Sequence, residues 1–232
     1  MGVGWWQYQK SPDIVTSLIY KRLLSSNSFH STRDEYTKNM LQQIGFTKVL
    51  NTGCPTMWNI PRIHEKKISL KFKNSVITFT DYCRDIQKDI QILIKAKTIS
   101  ENIFFFPQAP TDLSYLYEIN KKVNCKNLFI LDSSIESLLD VFKEGNSCYI
   151  GTRLHAGIYA AKNKIPCLIL SIDNRVKEMF SDLGIPFLER SSNCFKEKLK
   201  AARPFYLNPN FNIKDIDLWK KKLRKEVDLK LK

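Results

Sequence analysis

From about residue 75 onward, short apolar runs alternate with amphipathic stretches. The runs at 76–79, 103–106, 128–131, 148–150 and 168–170 lie roughly 20 to 27 residues apart and are dominated by Ile, Leu, Val and Phe. Unbroken apolar residues suit strands covered on both faces, so each run predicts a buried parallel strand. The stretches between them, 86–96, 113–123, 135–142 and 156–162, carry apolar residues at helical spacing. This alternation predicts an α/β fold with a doubly wound parallel sheet. Its strand-to-helix loops gather along one edge, where such sheets bind ligands.

The first 65 residues read differently. Helices are predicted over 13–24 and 34–44, the second opened by Ser31-Thr32-Arg33-Asp34, and only 49–52 reads as a strand. A self-sufficient sheet domain needs more strands. Residues 1–65 are therefore read as the closing part of a partial first domain whose opening is absent, with a compact accessory segment as the alternative. Residues 66–205 form the second domain, and 206–232 a basic terminal helix. In that helix Ile216, Trp219, Leu223 and Val227 share one side, ringed by Lys220, Lys221, Lys222, Arg224 and Lys225. The stripe either packs on the protein, the preferred reading, or lies on an anionic membrane with Trp219 at headgroup level.

The chain has 232 residues, 43% of them apolar, enough to bury a full core. No run of about 18 apolar residues is present, and the first 20 residues hold Gln7, Gln9, Lys10 and Asp13 where a signal peptide needs an apolar block. The expected location is cytoplasmic, with peripheral contact at the inner membrane face left open. Cys54, Cys83, Cys125, Cys148, Cys167 and Cys194 form no C-x-x-C pair and read as reduced thiols. His30, His64 and His155 are far apart, so neither a metal site nor a cofactor is expected. The net charge of +14 raises nucleic acid as a partner. Its lysines are spread along the chain without a nucleic-acid motif, which favours anionic small substrates or an anionic membrane face instead.

The most informative segment is Tyr149-Ile150-Gly151-Thr152-Arg153-Leu154-His155-Ala156. An apolar run ends at a glycine, and Arg153 and His155 follow just where an alanine-rich helix begins, which is how an open α/β sheet builds an anion site. If 152–155 is still extended, Arg153 and His155 share one side and Leu154 packs on the other. Equally open is that Arg153 pairs with a surface carboxylate and His155 sits satisfied in a turn. Neither G-x-x-x-x-G-K-[ST] nor G-x-G-x-x-G occurs, and Gly2-Val3-Gly4 alone is too weak to mark a phosphate loop.

Three segments together resemble the polysaccharide pyruvyl transferase family. They are Ser31-Thr32-Arg33-Asp34-Glu35-Tyr36-Thr37, Thr52-Gly53-Cys54-Pro55-Thr56-Met57-Trp58, and Gly151-Thr152-Arg153-Leu154-His155-Ala156 with its downstream Ile165-Pro166-Cys167-Leu168-Ile169-Leu170-Ser171-Ile172-Asp173. The resemblance implies a GT-B-like fold of Rossmann-like halves with the active site in their cleft. Here the first half is shortened at its amino end. It also implies transfer of a pyruvyl group from phosphoenolpyruvate to a sugar diol, forming a ketal in a capsule, exopolysaccharide or cell-wall glycan. Phosphoenolpyruvate is then a substrate, and the acceptor is a sugar or lipid-linked glycan. A GT-B-type glycosyltransferase using a nucleotide sugar and a truncated non-catalytic remnant are the alternatives.

The chemistry implied by the resemblance assigns roles. Arg153 offers a guanidinium fork to phosphate or carboxylate, and the helix start adds N–H donors. His155 exchanges the protons, since imidazole as a group titrates near neutral pH. Gly151 and Thr152 line the same turn. Gln108, Ser171 and Asp173 follow other strands and are expected to contact substrate. Arg33 reaches substrate from the first domain or pairs with Asp34. Replacing Arg153 or His155 by alanine is expected to lower transfer without disturbing the fold.

Overall fold

The computed structural model describes residues 2–5, 7–64 and 67–230. The expected boundary at residues 65 and 66 and the last two residues of the expected terminal helix lie outside the described residues. The chain forms two compact units, one of Met1–Trp58, Asp173–Pro186 and Pro209–Lys232, the other of Asn59–Ile172 and Phe187–Asn208.

In the first unit, strands β1 (His30–Thr32) and β2 (Val49–Asn51) pair in parallel, and Val3 bridges to Thr32. Ser31 and Thr32, expected to open a helix, thus belong to a strand. The Ser31 hydroxyl meets the Thr52 hydroxyl at 2.6 Å, a partner supplied from beyond β2 that a local pattern does not reveal. Helix α2 (Glu35–Ile44) starts after Asp34, whose carboxylate accepts the Thr37 N–H at 2.7 Å, a side-chain cap for an open helix terminus. It ends at Gly45, in a left-handed conformation with φ 108°. Met40, Leu41 and Ile44 of α2 form the core of this unit with Trp5, Phe46 and Val49.

Helix α1 (Ile14–Leu23) is capped by Asp13 and stacks Tyr20 on Trp5, while Ile14, Val15, Leu18, Ile19 and Leu23 stay exposed. Helices α7 (Asn174–Asp182) and α9 (Ile213–Lys230) complete the unit. In α9 the apolar stripe divides: Ile216 and Trp219 are buried, whereas Leu223 and Val227 are 42% and 46% exposed. The Trp219 indole N–H donates to the Phe29 carbonyl at 3.3 Å, and its ring meets Trp58 edge-on. Trp219 is therefore a core residue and is not placed to sit among lipid headgroups. Among the described residues no helix is long and apolar enough to cross a membrane.

The second unit holds a six-stranded parallel sheet in the order β5 (Leu128–Ile130), β4 (Ser100–Phe105), β3 (Phe72–Thr78), β6 (Ser147–Gly151), β7 (Cys167–Ser171), β8 (Leu188–Glu189). Helices α3 (Ile86–Ile99), α4 (Asp112–Val123), α5 (Ile135–Lys143) and α6 (Leu154–Lys162) connect the strands, and α8 (Phe195–Ala201) follows β8. The predicted α/β alternation is present. β5, expected to be buried, is an edge strand with Phe129 and Ile130 exposed, and nothing pairs with its outer side among the described residues. Ile92, Leu93 and Ala96 of α3, Tyr115 and Leu116 of α4, and Phe195 and Leu199 of α8 join the strands in the main core.

The strand order has one consequence for function. From β3 the chain moves outward through β4 to β5, then returns through α5 to β6 on the other side of β3. Crossovers therefore diverge at the carboxyl ends of β3 and β6, the switch point where open α/β sheets leave a crevice. The motif singled out in the sequence follows β6 directly.

Candidate functional site

Gly151 ends β6 opposite Thr78 of β3. A Cβ at Gly151 would overlap the Thr78 hydroxyl and come within 2.9 Å of the Thr78 nitrogen, so only glycine permits this approach. Beyond it the Thr152 and Thr80 hydroxyls meet at 2.9 Å, both residues buried, and lock the two strand ends together.

Arg153 is the last extended residue, with φ −88° and ψ 101°, and α6 begins at Leu154. The expectation that 152–155 stays extended fails because Leu154 buries its side chain in the first helical turn, leaving His155 exposed. Arg153 and His155 therefore do not share one side of an extended segment. Arg153 turns toward the ends of β3 and α4, and the His155 side chain makes no hydrogen bond among the described residues. No side chain caps α6, so the N–H groups of its first turn remain open to water or an anion.

The Arg153 backbone is fixed by a relay of hydroxyls. Its N–H donates to the Thr78 hydroxyl at 3.3 Å, the Thr78 hydroxyl donates to Tyr149 at 2.6 Å, and the Tyr149 hydroxyl donates to the Arg153 carbonyl at 2.7 Å. Burial pushes the Tyr149 phenol far above its ordinary value, keeping it a neutral donor.

The Arg153 side chain is held as firmly. Nε donates to the Phe79 carbonyl at 3.2 Å, Nη2 donates to Asp112 Oδ1 at 2.6 Å and lies 3.6 Å from Asp81 Oδ1, and the guanidinium covers the Tyr82 ring at 5.4 Å. The other Asp112 oxygen accepts the Gln108 and Ala109 N–H groups at 2.9 and 3.0 Å. A buried carboxylate needs such partners, and Asp112 is fully supplied. Asp81 is lowered from its ordinary value, chiefly by a hydrogen bond from Thr111 and further by Arg153. Two of the three guanidinium nitrogens are thus occupied within the protein. Nη1 has no hydrogen bond among the described residues.

A second ion pair stiffens the same edge of the sheet. Arg190, after β8, places Nη1 at 2.9 Å from both oxygens of Asp89 in the first turn of α3, and the Tyr115 hydroxyl of α4 donates to Asp89 at 2.5 Å. Burial pushes the Asp89 carboxyl up against the pull of Arg190 and Tyr115. The Arg190 guanidinium also donates to the Cys83 carbonyl in the loop after β3.

A family model for polysaccharide pyruvyl transferase matches residues 1–174. The chain belongs to that family. No curated protein matches the chain.

The match to the pyruvyl transferase family contains every candidate site residue read from the sequence, and the structure distributes them. Gly151, Thr152 and Arg153 meet at the switch point, as described. Gln108 contributes its backbone N–H to Asp112, and its side chain is exposed. Ser171 is buried at the end of β7, its carbonyl accepting the Arg190 N–H at 3.0 Å. Asp173 caps α7 in the first unit and accepts the Arg175 guanidinium. Also in the first unit, Arg33 pairs with buried Asp34 at 3.1 Å and fills the space where a Cβ of Gly4 would stand.

Sequence reasoning missed Asp112, Asp81, Tyr82, Thr78 and Tyr149. Asp112 carried a signal, an acidic residue at a helix start, but that pattern ordinarily means only a favourable dipole contact.

Proposed function

We propose that this member of the pyruvyl transferase family moves a pyruvyl group from phosphoenolpyruvate to two hydroxyls of a sugar, forming a cyclic ketal in capsule, exopolysaccharide or cell-wall glycan synthesis. The observation that supports it most is the convergence at the β3–β6 switch point of Arg153, with Nη1 open, and the uncapped start of α6. A donor carrying a phosphate and a carboxylate needs such a group and such N–H donors.

In the proposed reaction the methylene carbon of phosphoenolpyruvate takes a proton and becomes a methyl group, which makes the adjacent carbon electrophilic. One sugar hydroxyl attacks that carbon, the C–O bond to phosphate breaks, and the second hydroxyl closes the ring. Of the two hydroxyl protons released, one balances the proton on the methyl group and the other leaves with inorganic phosphate. His155, exposed on the first turn of α6, is assigned the proton transfers. Arg153 is assigned the departing phosphate. Gln108 and Thr152, which follow strands, and Ser171, which ends β7, lie at the same sheet edge and are assigned substrate contacts. Charge is neutralised by guanidinium and N–H groups, so chelator treatment should leave the activity intact.

The deciding experiment incubates the purified chain with phosphoenolpyruvate and candidate nucleotide-linked or lipid-linked sugars, then reads the sugar by mass. A pyruvyl increment with release of one phosphate per transfer is expected. Absence of both across the acceptor panel, with the protein folded, would overturn the reading.

A further inference from the structure

We propose that Asp112 is the positioning residue that aims Arg153 at the donor anion. The inference rests on the reading of Arg153 as an anion-binding group. Asp112 divides its two oxygens between two tasks. Oδ2 accepts the Gln108 and Ala109 N–H groups and so closes the turn before α4, while Oδ1 accepts Arg153 Nη2 at 2.6 Å. The turn needs Oδ2 alone. Oδ1 is there for the arginine.

A guanidinium is planar, so fixing two nitrogens and one face fixes the rest. Here Phe79 holds Nε, Asp112 holds Nη2, and the Tyr82 ring covers one face. What is left is Nη1, presented in one direction before any ligand arrives. Asp81 cannot serve as the anchor in the same way. It lies 3.6 Å away, its side chain is 19% exposed against 1% for Asp112, and one of its oxygens already accepts from Thr111.

This arrangement decides what Arg153 is good for. Two carboxylates beside one guanidinium cancel its long-range pull, so a passing anion is not captured by charge alone. Binding instead depends on an oxygen meeting Nη1 in its preset orientation, an arrangement that lowers reorganisation during reaction. Asp112 therefore exchanges general attraction for direction.

Asp112→Asn separates the two tasks. The Asn carbonyl can keep both turn N–H groups, while its NH2 faces Arg153 Nη2, donor against donor. In ¹⁵N NMR of the full chain, the Gln108 and Ala109 amides should stay in place. The Arg153 Nε–H signal, assigned by its loss in Arg153→Lys, should shift and exchange with water faster. Inorganic phosphate, which should perturb that signal in the original protein, should no longer do so at the same concentration. With phosphoenolpyruvate, kcat should fall at least tenfold and KM change less.

An unchanged Arg153 signal and phosphate response in folded Asp112→Asn would overturn the proposal. If the Asn variant does not fold, Asp112→Glu keeps the charge but lengthens the reach by one methylene. It should shift the Arg153 signal and lower kcat, and an unchanged signal there overturns the proposal equally. If the original chain transfers no pyruvyl group but its Arg153 signal still depends on Asp112, the functional reading fails and the positioning role stands.

Discussion

The Tyr149 hydroxyl donates to the Arg153 carbonyl at 2.7 Å while accepting from the Thr78 hydroxyl at 2.6 Å. Tyr149→Phe removes one oxygen and leaves a buried hydroxyl and a carbonyl short of a partner. It should cost about 1–3 kcal/mol of stability, the usual penalty for unsatisfied buried polar groups, read as a lower urea midpoint at constant slope.

Arg153→Ala and His155→Ala should part company, contrary to what the sequence suggested. The His155 side chain is exposed and without a hydrogen bond among the described residues, so its loss should lower transfer by roughly a hundredfold and leave the melting temperature unchanged. Arg153→Ala strands the buried Asp112 carboxylate and should destabilise the fold by on the order of 3 kcal/mol as well. Paired melting curves and initial rates would show whether the two effects separate.

Gly151→Ala should push β6 away from β3, since the added carbon collides with Thr78. The cost should be about 1–3 kcal/mol, the range for overpacking a tight core. A melting temperature equal to that of the original protein would mean that the strands yield without strain.

Asp81 should titrate below its ordinary value, with Thr111 as the main cause. A depressed value in the folded state means that its contribution to stability is complete above the unfolded value and is lost as pH falls through the folded one. Thr111→Val should raise the Asp81 midpoint in a ¹³C carboxyl titration and shrink that acid-side loss. A midpoint indifferent to Thr111→Val would transfer the cause to Arg153.

Much of the α/β unit was legible because buried parallel strands announce themselves as apolar runs, and β3, β4, β6 and β7 all sit on one. The two-residue β8 is too short to show a period, and α7 and α8 carry too many polar positions to stand out. β1 was missed because Ser31 and Thr32 look like a helix lead-in until Thr52 is seen beside them. At the site, the motif gave away Arg153 and His155 by type and spacing. Its partners Phe79 and Asp112 lie 74 and 41 residues away in sequence, and a local pattern holds no record of which carboxylate folds against which arginine.

The route of the chain through its two units also bears on how the protein is made. The first unit collects its residues from three separated segments, and the indole of Trp219 bonds to a carbonyl 190 positions earlier. A chain emerging from the ribosome can assemble most of the parallel sheet while the opening segment still lacks the helix that buries Trp219. The segment that holds Phe29 must therefore wait, exposed to proteases and chaperones, until α9 has been made. Truncations that remove α9 should act first on the segment around Phe29, the reverse of what distance along the chain suggests.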